Sequence, residues 1–242
     1  MTTFDEKDYW RKRHEDHRGQ LKAVGIDTVD ADGNQGFYGQ LVDRYRELLD
    51  RLDLPRGTTA LDAGSGVGTL TRLLHERGFE VTAVDISQTA LDGIDLPITK
   101  VCSPLATADL PERGFEYVHS FDVVYHIMDE AEWAASVANL GRWSSRYVVM
   151  HERFQRIPQW VPSKIMKMRP KGETAAILAS QGFREVMTVP THLTGMHLLT
   201  YRLSALAPER FLQADDWVFS RFGDSPVVRE LASHRIKVFE RA

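Results

Sequence analysis

The residues best suited to chemistry lie between positions 61 and 86. The segment 61–69 reads LDAGSGVGT, which puts Gly64, Gly66 and Gly68 between a strand-like apolar run and a helix-like one. Glycines at such a junction permit a tight turn and leave no side chain in the way of a ligand. The helix that follows presents unpaired amide donors, a favourable place for an anionic group. Gly64 and Gly66 match two glycines of the dinucleotide fingerprint, but its third falls where this chain has Thr69, one residue past Gly68. Asp85 closes the next strand-like run, VTAVDI at 81–86. In a parallel sheet its carboxylate faces the glycine turn, where it can accept both hydrogens of a ribose diol while Ile86 offers an apolar surface to a base. With Asp62 leading the turn and Ser65 inside it, the pattern points to a nucleoside-containing ligand. A glycine turn needed only for packing is the alternative reading.

Histidine is the second chemical resource, with nine in the chain. His126 ends an apolar run, FDVVYH at 121–126, and its ordinary pKa near 6.5 suits it to take a proton or orient a substrate. His151 and Glu152 form a polar pair after another apolar run, although neighbours on a strand point to opposite faces. His192 and His197 follow later. The spacing of the histidines gives no metal-binding motif such as His-Glu-x-x-His, and no metal is expected. Tyr9, Trp10 and Tyr38 near the N-terminus, and Trp217 near the C-terminus, are candidates for a pocket wall, with plain packing as the competing role.

Elements must bring these groups together. Helical spacing predicts a helix over 8–23, a glycine-punctuated loop to 36, and a helix over 37–52 stopped by Pro55 and Gly57. Strands and helices then alternate: strand 59–62, helix 70–77, strand 80–85, strand 98–102, a fourth strand over 121–126, helix 130–142, strand 147–151, helix 174–181 and strand 183–189. Short helical pieces at 208–212 and 225–232 flank a turn at Asp215 and Asp216, and 236–240 reads as a closing strand. This order implies an α/β domain with a mostly parallel sheet covered on both faces. The expected organisation is a single domain over 1–242: accessory helices at 1–56, a core at 57–190, an accessory insertion at 191–233 and the closing strand at 234–242.

Composition sets the outer limits. The 242 residues, 43% of them hydrophobic, suffice for one large domain with a substantial core. A net charge of −4 gives no global attraction to nucleic acid. The basic run at 164–171 is read as a solvated loop or an attraction for an acidic acceptor. One cysteine, Cys102, excludes an internal disulfide and a cysteine-rich zinc site, and is compatible with a reducing, cytoplasmic setting. The apolar stretches fall short of the roughly 20 residues that cross a bilayer, so no membrane association is expected.

Taken together, 61–68, then GFEVTAVDIS at 78–87 and FDVVYH at 121–126, resemble the class I S-adenosylmethionine-dependent methyltransferases. The resemblance covers roughly 58–151. It implies a Rossmann-like methyltransferase sandwich whose mostly parallel seven-stranded sheet ends in an antiparallel last strand. It implies S-adenosyl-L-methionine as cofactor, with Asp62, Gly64, Ser65, Gly66 and Gly68 around its methionine portion, Asp85 on the ribose and Ile86 against adenine. The family often carries an acid soon after the third strand; here CSPLATA intervenes before Asp109, the candidate for that role. Transfer of a methyl group to an oxygen or nitrogen of a small molecule is the leading function, with His126 and His151 as candidate catalytic groups. Tyr9, Trp10, Tyr38, Glu152, His192, His197 and Trp217 are the candidates for acceptor binding. A protein or peptide methyltransferase, a noncatalytic cofactor-binding subunit and a dinucleotide-dependent oxidoreductase are the competing classes.

Overall fold

A computed structural model describes residues 4–26, 31–153, 163–170, 172–193, 207–223 and 225–242. Seven strands form one sheet: β1 (Thr59–Ala63), β2 (Glu80–Asp85), β3 (Thr99–Cys102), β4 (Phe115–Phe121), β5 (Ser144–Arg153), β6 (Phe183–His192) and β7 (His234–Arg241). Their spatial order is β3-β2-β1-β4-β5-β7-β6. The first five pair in parallel, and β7 inserts antiparallel between β5 and β6, with Val149 opposite Val238 and Val189 opposite Ile236.

Successive strand residues point to opposite faces, so both faces must be covered. Leu61, Val118, Val148 and Met150 face α5 (Glu130–Trp143) and α6 (Glu173–Ala179), where Trp143 and Leu178 complete the layer. Ala60, Tyr117, Val149 and Val238 face α2 (Ala31–Leu52) and α3 (Thr69–Glu76) through Leu41, Tyr45, Leu48 and Leu74. A short α4 (Gln88–Asp92) follows β2, capped by the Ser87 hydroxyl. No helix among the described residues is long and apolar enough to cross a membrane.

Four elements differ from the sequence reading. The first helix, α1, spans Glu6–Asp16 and gives way to a separate turn at Leu21–Ala23. Helix α2 begins at Ala31, through glycines that read as a loop. A Cβ on Gly36 would meet Leu212 Cδ1 at 2.7 Å, so this glycine lets another helix approach rather than breaking its own. That helix, α7 (Pro208–Phe222), runs straight through the expected turn at Asp215 and Asp216 and is followed by α8 (Pro226–Leu231). Asp215 is buried there and accepts the Leu193 amide at 2.8 Å.

The largest shift concerns β4, which covers Phe115–Phe121 instead of 121–126. Its polar His119 and Ser120 look unsuited to a central strand, yet both are buried beside polar neighbours. Ser120 Oγ donates to the Ala63 carbonyl, and His119 lies between Tyr45 and Asp62. The apolar Val123 and Val124 belong to a turn beyond the strand, with Val124–His126 forming a single 3-10 turn.

Candidate functional site

The C-terminal ends of β1, β2 and β4 open into one cleft, roofed by α1. At its β2 end Gly64 and Gly66 adopt left-handed backbone conformations, φ +91° and +51°. A Cβ on Gly64 would lie 2.2 Å from Val123 Cγ2, so only glycine fits against the residue following Asp122. The turn brings the Gly66 amide within 2.9 Å of Asp85 Oδ2, while the Ser87 amide donates to Oδ1 at 2.9 Å. Each carboxylate oxygen therefore keeps acceptor capacity facing the cleft. Burial pushes the Asp85 carboxyl above its ordinary value, opposed by His14 across the cleft and by the two amides. Ser65 Oγ, in the turn, and Trp10 Nε1, in the roof, are buried without a hydrogen-bond partner. Ile86 and Ser103, Pro104, Leu105 and Ala106 complete this end.

The opposite end lies beyond β4, where Asp122, His126, Tyr38, Phe121 and Ile127 line the wall. Asp122 is non-glycine yet has φ +57°. Its Oδ1 accepts the Tyr125 hydroxyl at 3.0 Å and lies 3.0 Å from His151 Nδ1. His151 Nε2 is in turn 2.8 Å from Thr191 Oγ1. Burial pushes Asp122 up, but His151 and Tyr125 outweigh it and hold the carboxyl below the usual carboxylate range. His126 Nδ1 meets the Ile165 carbonyl at 2.5 Å, which requires the hydrogen on Nδ1 and leaves Nε2 as an acceptor. Burial lowers His126 to about 4. Burial, then Asp122, raises the Tyr38 phenol.

Helix α1 closes the roof through contacts to both ends. Trp10 packs edge-on against His126 with ring centroids 4.5 Å apart. Lys7 pairs with Glu132 of α5 at 2.7 Å, and Arg11 Nε donates to the Ile86 carbonyl. Arg13 is buried and donates to the carbonyls of Lys22, Ala23 and Gly25, fixing the helix to the chain that follows.

A model of the methyltransferase domain family matches residues 36–188. The chain belongs to the class I S-adenosylmethionine-dependent methyltransferases. The likeness to solved structures of this fold includes the magnesium protoporphyrin IX methyltransferase of Synechocystis PCC 6803 with bound S-adenosylmethionine: TM-score 0.66, 19% identity, all of both chains covered. Among curated proteins, the S-adenosyl-L-methionine-dependent Diels-Alderase of Neonectria sp. is 33% identical over 95 residues, 37% of this chain and 36% of that protein. An rRNA adenine N-6-methyltransferase of Saccharopolyspora erythraea is 27% identical over 206 residues, 72% of this chain and 54% of that one. The chain thus spans between about a third and a half of these curated relatives.

Within this family member the cleft gathers some of the expected residues and leaves others out. Gly64, Ser65, Gly66, Asp85, Ile86, Trp10, Tyr38 and His126 all line it, His126 from a turn rather than a strand end. Asp62 does not. Its Oδ2 accepts the Thr71 hydroxyl at 2.6 Å and its Oδ1 lies 2.9 Å from His119 Nε2, so the carboxylate is a buried strut beneath the turn. Gly68 sits at the start of α3, where a Cβ would collide with Ile94 Cγ1 at 2.6 Å; its role is packing. Asp109 is exposed and off the cleft, because the chain turns at Pro104 and carries it past; Ser103–Ala106 occupy that wall instead.

The accessory candidates separate in the same way. Tyr9 supports the roof from outside, packing on Trp10 and bonding Arg13. His151 stands behind Asp122 rather than in the cleft. Glu152, its strand neighbour, points the other way, into a separate small cavity with Tyr125, Trp133 and Arg169. His192 is buried against the Phe37 carbonyl and beside His151 and His234. Trp217 is 54% exposed on the outer side of α7. His197 lies outside the described residues. The described helices of 191–233 buttress α2, through Gln40 to Asp216 and Arg44 over Phe219, and line no part of the cleft. Among the described residues no cluster of three or more metal-ligating side chains forms. Asp122, His14, Glu132 and the Ser103–Ala106 wall escaped the sequence reading; Asp122 was within the quoted FDVVYH segment, read there only as strand.

Proposed function

We propose that the chain transfers the methyl group of S-adenosylmethionine to a small-molecule acceptor held between α1 and the end of β4. The observation that carries this is the roofed cleft: one end presents Asp85 with acceptor capacity beside a glycine turn, and the other presents Asp122, Tyr38 and His126. In this reading Gly64, Ser65 and Gly66 surround the methionine portion, Asp85 takes the ribose hydroxyls, and Ile86 with Ser103–Ala106 borders the adenine. The cofactor supplies an electrophilic methyl; the protein's part is to align an acceptor atom with it and exclude water. Trp10 shields the acceptor end. His126, held neutral by burial, orients through Nε2 and is too weak a base at about 4 to carry the main proton step.

A ribosomal RNA acceptor, as the name of the Saccharopolyspora relative indicates for that protein, fits the cleft less well. The lining has Glu6, Asp85, Asp122 and Glu132 against Lys7, a poor setting for a phosphate backbone. A cytoplasmic location suits the single thiol, Cys102, which is exposed and free.

Calorimetry with S-adenosylmethionine and its demethylated product, in the presence of chelator, tests the cofactor assignment. Asp85→Ala removes charged hydrogen bonds worth about 1.5–3 kcal/mol, so affinity falls roughly tenfold to over a hundredfold. Unchanged affinity in a folded variant moves Asp85 out of the site. Mass detection of methylated products from a mixed small-molecule pool, with ribosomal RNA run in parallel, tests the acceptor class. Methylation of RNA alone overturns it, and consumption of an acceptor by cyclisation without methyl loss replaces transfer with a cofactor-assisted rearrangement.

A further inference from the structure

Three observations meet at Asp122. The first is position. The sheet order puts β2 and β3 on one side of the glycine turn and β4 on the other, so Asp122 lies at the end of the cleft away from Asp85. Its backbone sits in the left-handed region, a conformation costly for a side-chain-bearing residue and kept only when the surroundings fix it.

The second is how it is held. The Tyr125 hydroxyl and His151 Nδ1 both address the same oxygen, Oδ1. Behind it, His151 Nε2 lies 2.8 Å from the hydroxyl of the fully buried Thr191, so the ring is anchored with Nδ1 3.0 Å from Asp122 Oδ1. Among the described residues no donor reaches Oδ2, and the side chain, 32% exposed, lines the cleft. One oxygen is thus fixed from behind and the other is presented forward.

The third is the charge around it. Glu6, Asp85 and Glu132 share the cleft with one lysine, Lys7, and that lysine is already paired with Glu132. No cation of the described lining answers Asp122, which His151 and Tyr125 keep ionised at neutral pH.

We infer that Asp122 selects the acceptor, that the acceptor is an amine, and that His151 and Tyr125 are positioning residues that aim its carboxylate. This rests on the methyl-transfer reading above. The lone pair of a neutral amine forms the new N–C bond, and the electron pair of the breaking C–S bond stays on sulfur. The positive charge passes from the sulfonium to the nitrogen, whose remaining N–H is donated to Asp122 Oδ2. A carboxylate so placed stabilises the ammonium as it forms. A carboxylate or phenolate acceptor would instead bring a second negative charge beside it, which disfavours binding.

The test incubates the full chain with S-adenosylmethionine and matched aromatic and aliphatic amines, alcohols and carboxylates, locating the added methyl by fragmentation. The expected product carries it on nitrogen. Asp122→Asn then lowers kcat/KM by about 10²–10³-fold, the range for losing a preorganised charge contact, with cofactor affinity unchanged. His151→Asn places an amide nitrogen near Nδ1 and recovers most of the activity that His151→Leu loses, whereas a purely structural role predicts equal losses. Tyr125→Phe supplies the same test of aim if the His151 variants fail to fold. Methylation on oxygen or carboxylate, cofactor binding with no amine in the panel methylated, or wild-type kcat/KM in Asp122→Asn overturns the inference. Failure of the wild-type chain to bind the cofactor overturns the underlying reading instead, and calorimetry separates the two.

Discussion

Two carboxylates mark the two ends of the cleft, and they are held by different means. Asp85 is held by backbone: the amides of Gly66 and Ser87 take one oxygen each. Asp122 is held by side chains: Tyr125 from its own turn and His151 from β5, with Thr191 of β6 behind the histidine. Backbone amides are present whatever the side chains, so the first end depends on the path of the turn. Side-chain donors change with each substitution, so the second end can be retuned while the sheet stays as it is. A cofactor end set by the path of the backbone and an adjustable acceptor end follow from that difference, without any change of fold.

Gly64 joins the two ends and gives the largest expected effect. It has φ +91°, and a Cβ there would press on Val123, the residue after Asp122. Gly64→Ala therefore strains the turn and displaces the acceptor wall together. A left-handed alanine alone costs about 1–3 kcal/mol, and the clash adds to it. Cofactor affinity and acceptor turnover should both collapse, read by calorimetry and initial rates. Val123→Ala relieves the clash and leaves the backbone strain, so in the double variant the recovery should be partial and larger at the acceptor end. Equal recovery at both ends would show that they are not separately built.

The same difference decides what could be read from sequence. The cofactor end is contiguous: a glycine turn, one strand and the acid closing it, with contacts made by backbone that any sequence has. The acceptor end is assembled from positions 38, 122, 126, 151 and 191, and no local spacing links them. Asp122 was hidden because the valines after it look like strand, while the true strand contains His119 and Ser120, whose burial depends on Asp62, Tyr45 and Ala63. Asp62 shows the reciprocal case: it leads the glycine motif, but its oxygens contact Thr71 and His119 beneath the turn, which no local spacing announces. The antiparallel β7 followed from the family resemblance alone, whereas the parallel pairing of β1 to β5 was legible because alternation of strand and helix is a long-range pattern of short-range signals. Helix α7 was not, because Asp215 reads as a turn former until the Leu193 amide is placed against it.

Acid should loosen the acceptor side first. Burial lowers His126 and His192 to about 4 and His234 well below its ordinary value. In the unfolded chain each takes a proton near pH 6.5, while the folded chain resists until much lower pH. The unfolded state therefore binds more protons as pH falls below about 6.5, and stability drops by up to about 1.4 kcal/mol per pH unit for each histidine. The cofactor end has one such group, His14, and it faces Asp85. Glu152 acts in the opposite sense. Burial raises it to about 8, so its contribution is complete below its unfolded value near 4.5 and is lost as pH rises through about 8. Thermal melts should show stability falling on the acid side, and His192→Gln, which keeps a donor for the Phe37 carbonyl, should flatten that limb. An unaltered acid limb would remove His192 from the buried neutral set.

The smallest expected effect comes from a region that belongs to neither end. Trp217 was a candidate for the acceptor wall, yet it stands on the solvent side of α7, over half exposed, edge-on to Phe222 and under the Arg221 guanidinium. The face of α7 that matters to the fold is the other one, where Asp216 meets Gln40 and Phe219 lies under Arg44. Removing the indole uncovers no core residue and breaks no buried hydrogen bond, so Trp217→Ser should change stability by no more than about 0.5 kcal/mol. Cofactor affinity and acceptor kcat/KM should stay at their wild-type values, because the contacts from α7 to the cleft run through α2 and Tyr38, not through the exposed ring. Phe219→Ala is the useful contrast. It removes a buried ring from the α2 contact, so its effect should appear in stability, by about 3–5 kcal/mol for a fully packed phenylalanine and less at this half-open helix pair, before it appears in KM. A raised KM in Trp217→Ser at unchanged stability would place this helix against the acceptor after all, and the side-chain-built end of the cleft would then extend beyond β4, β5 and β6.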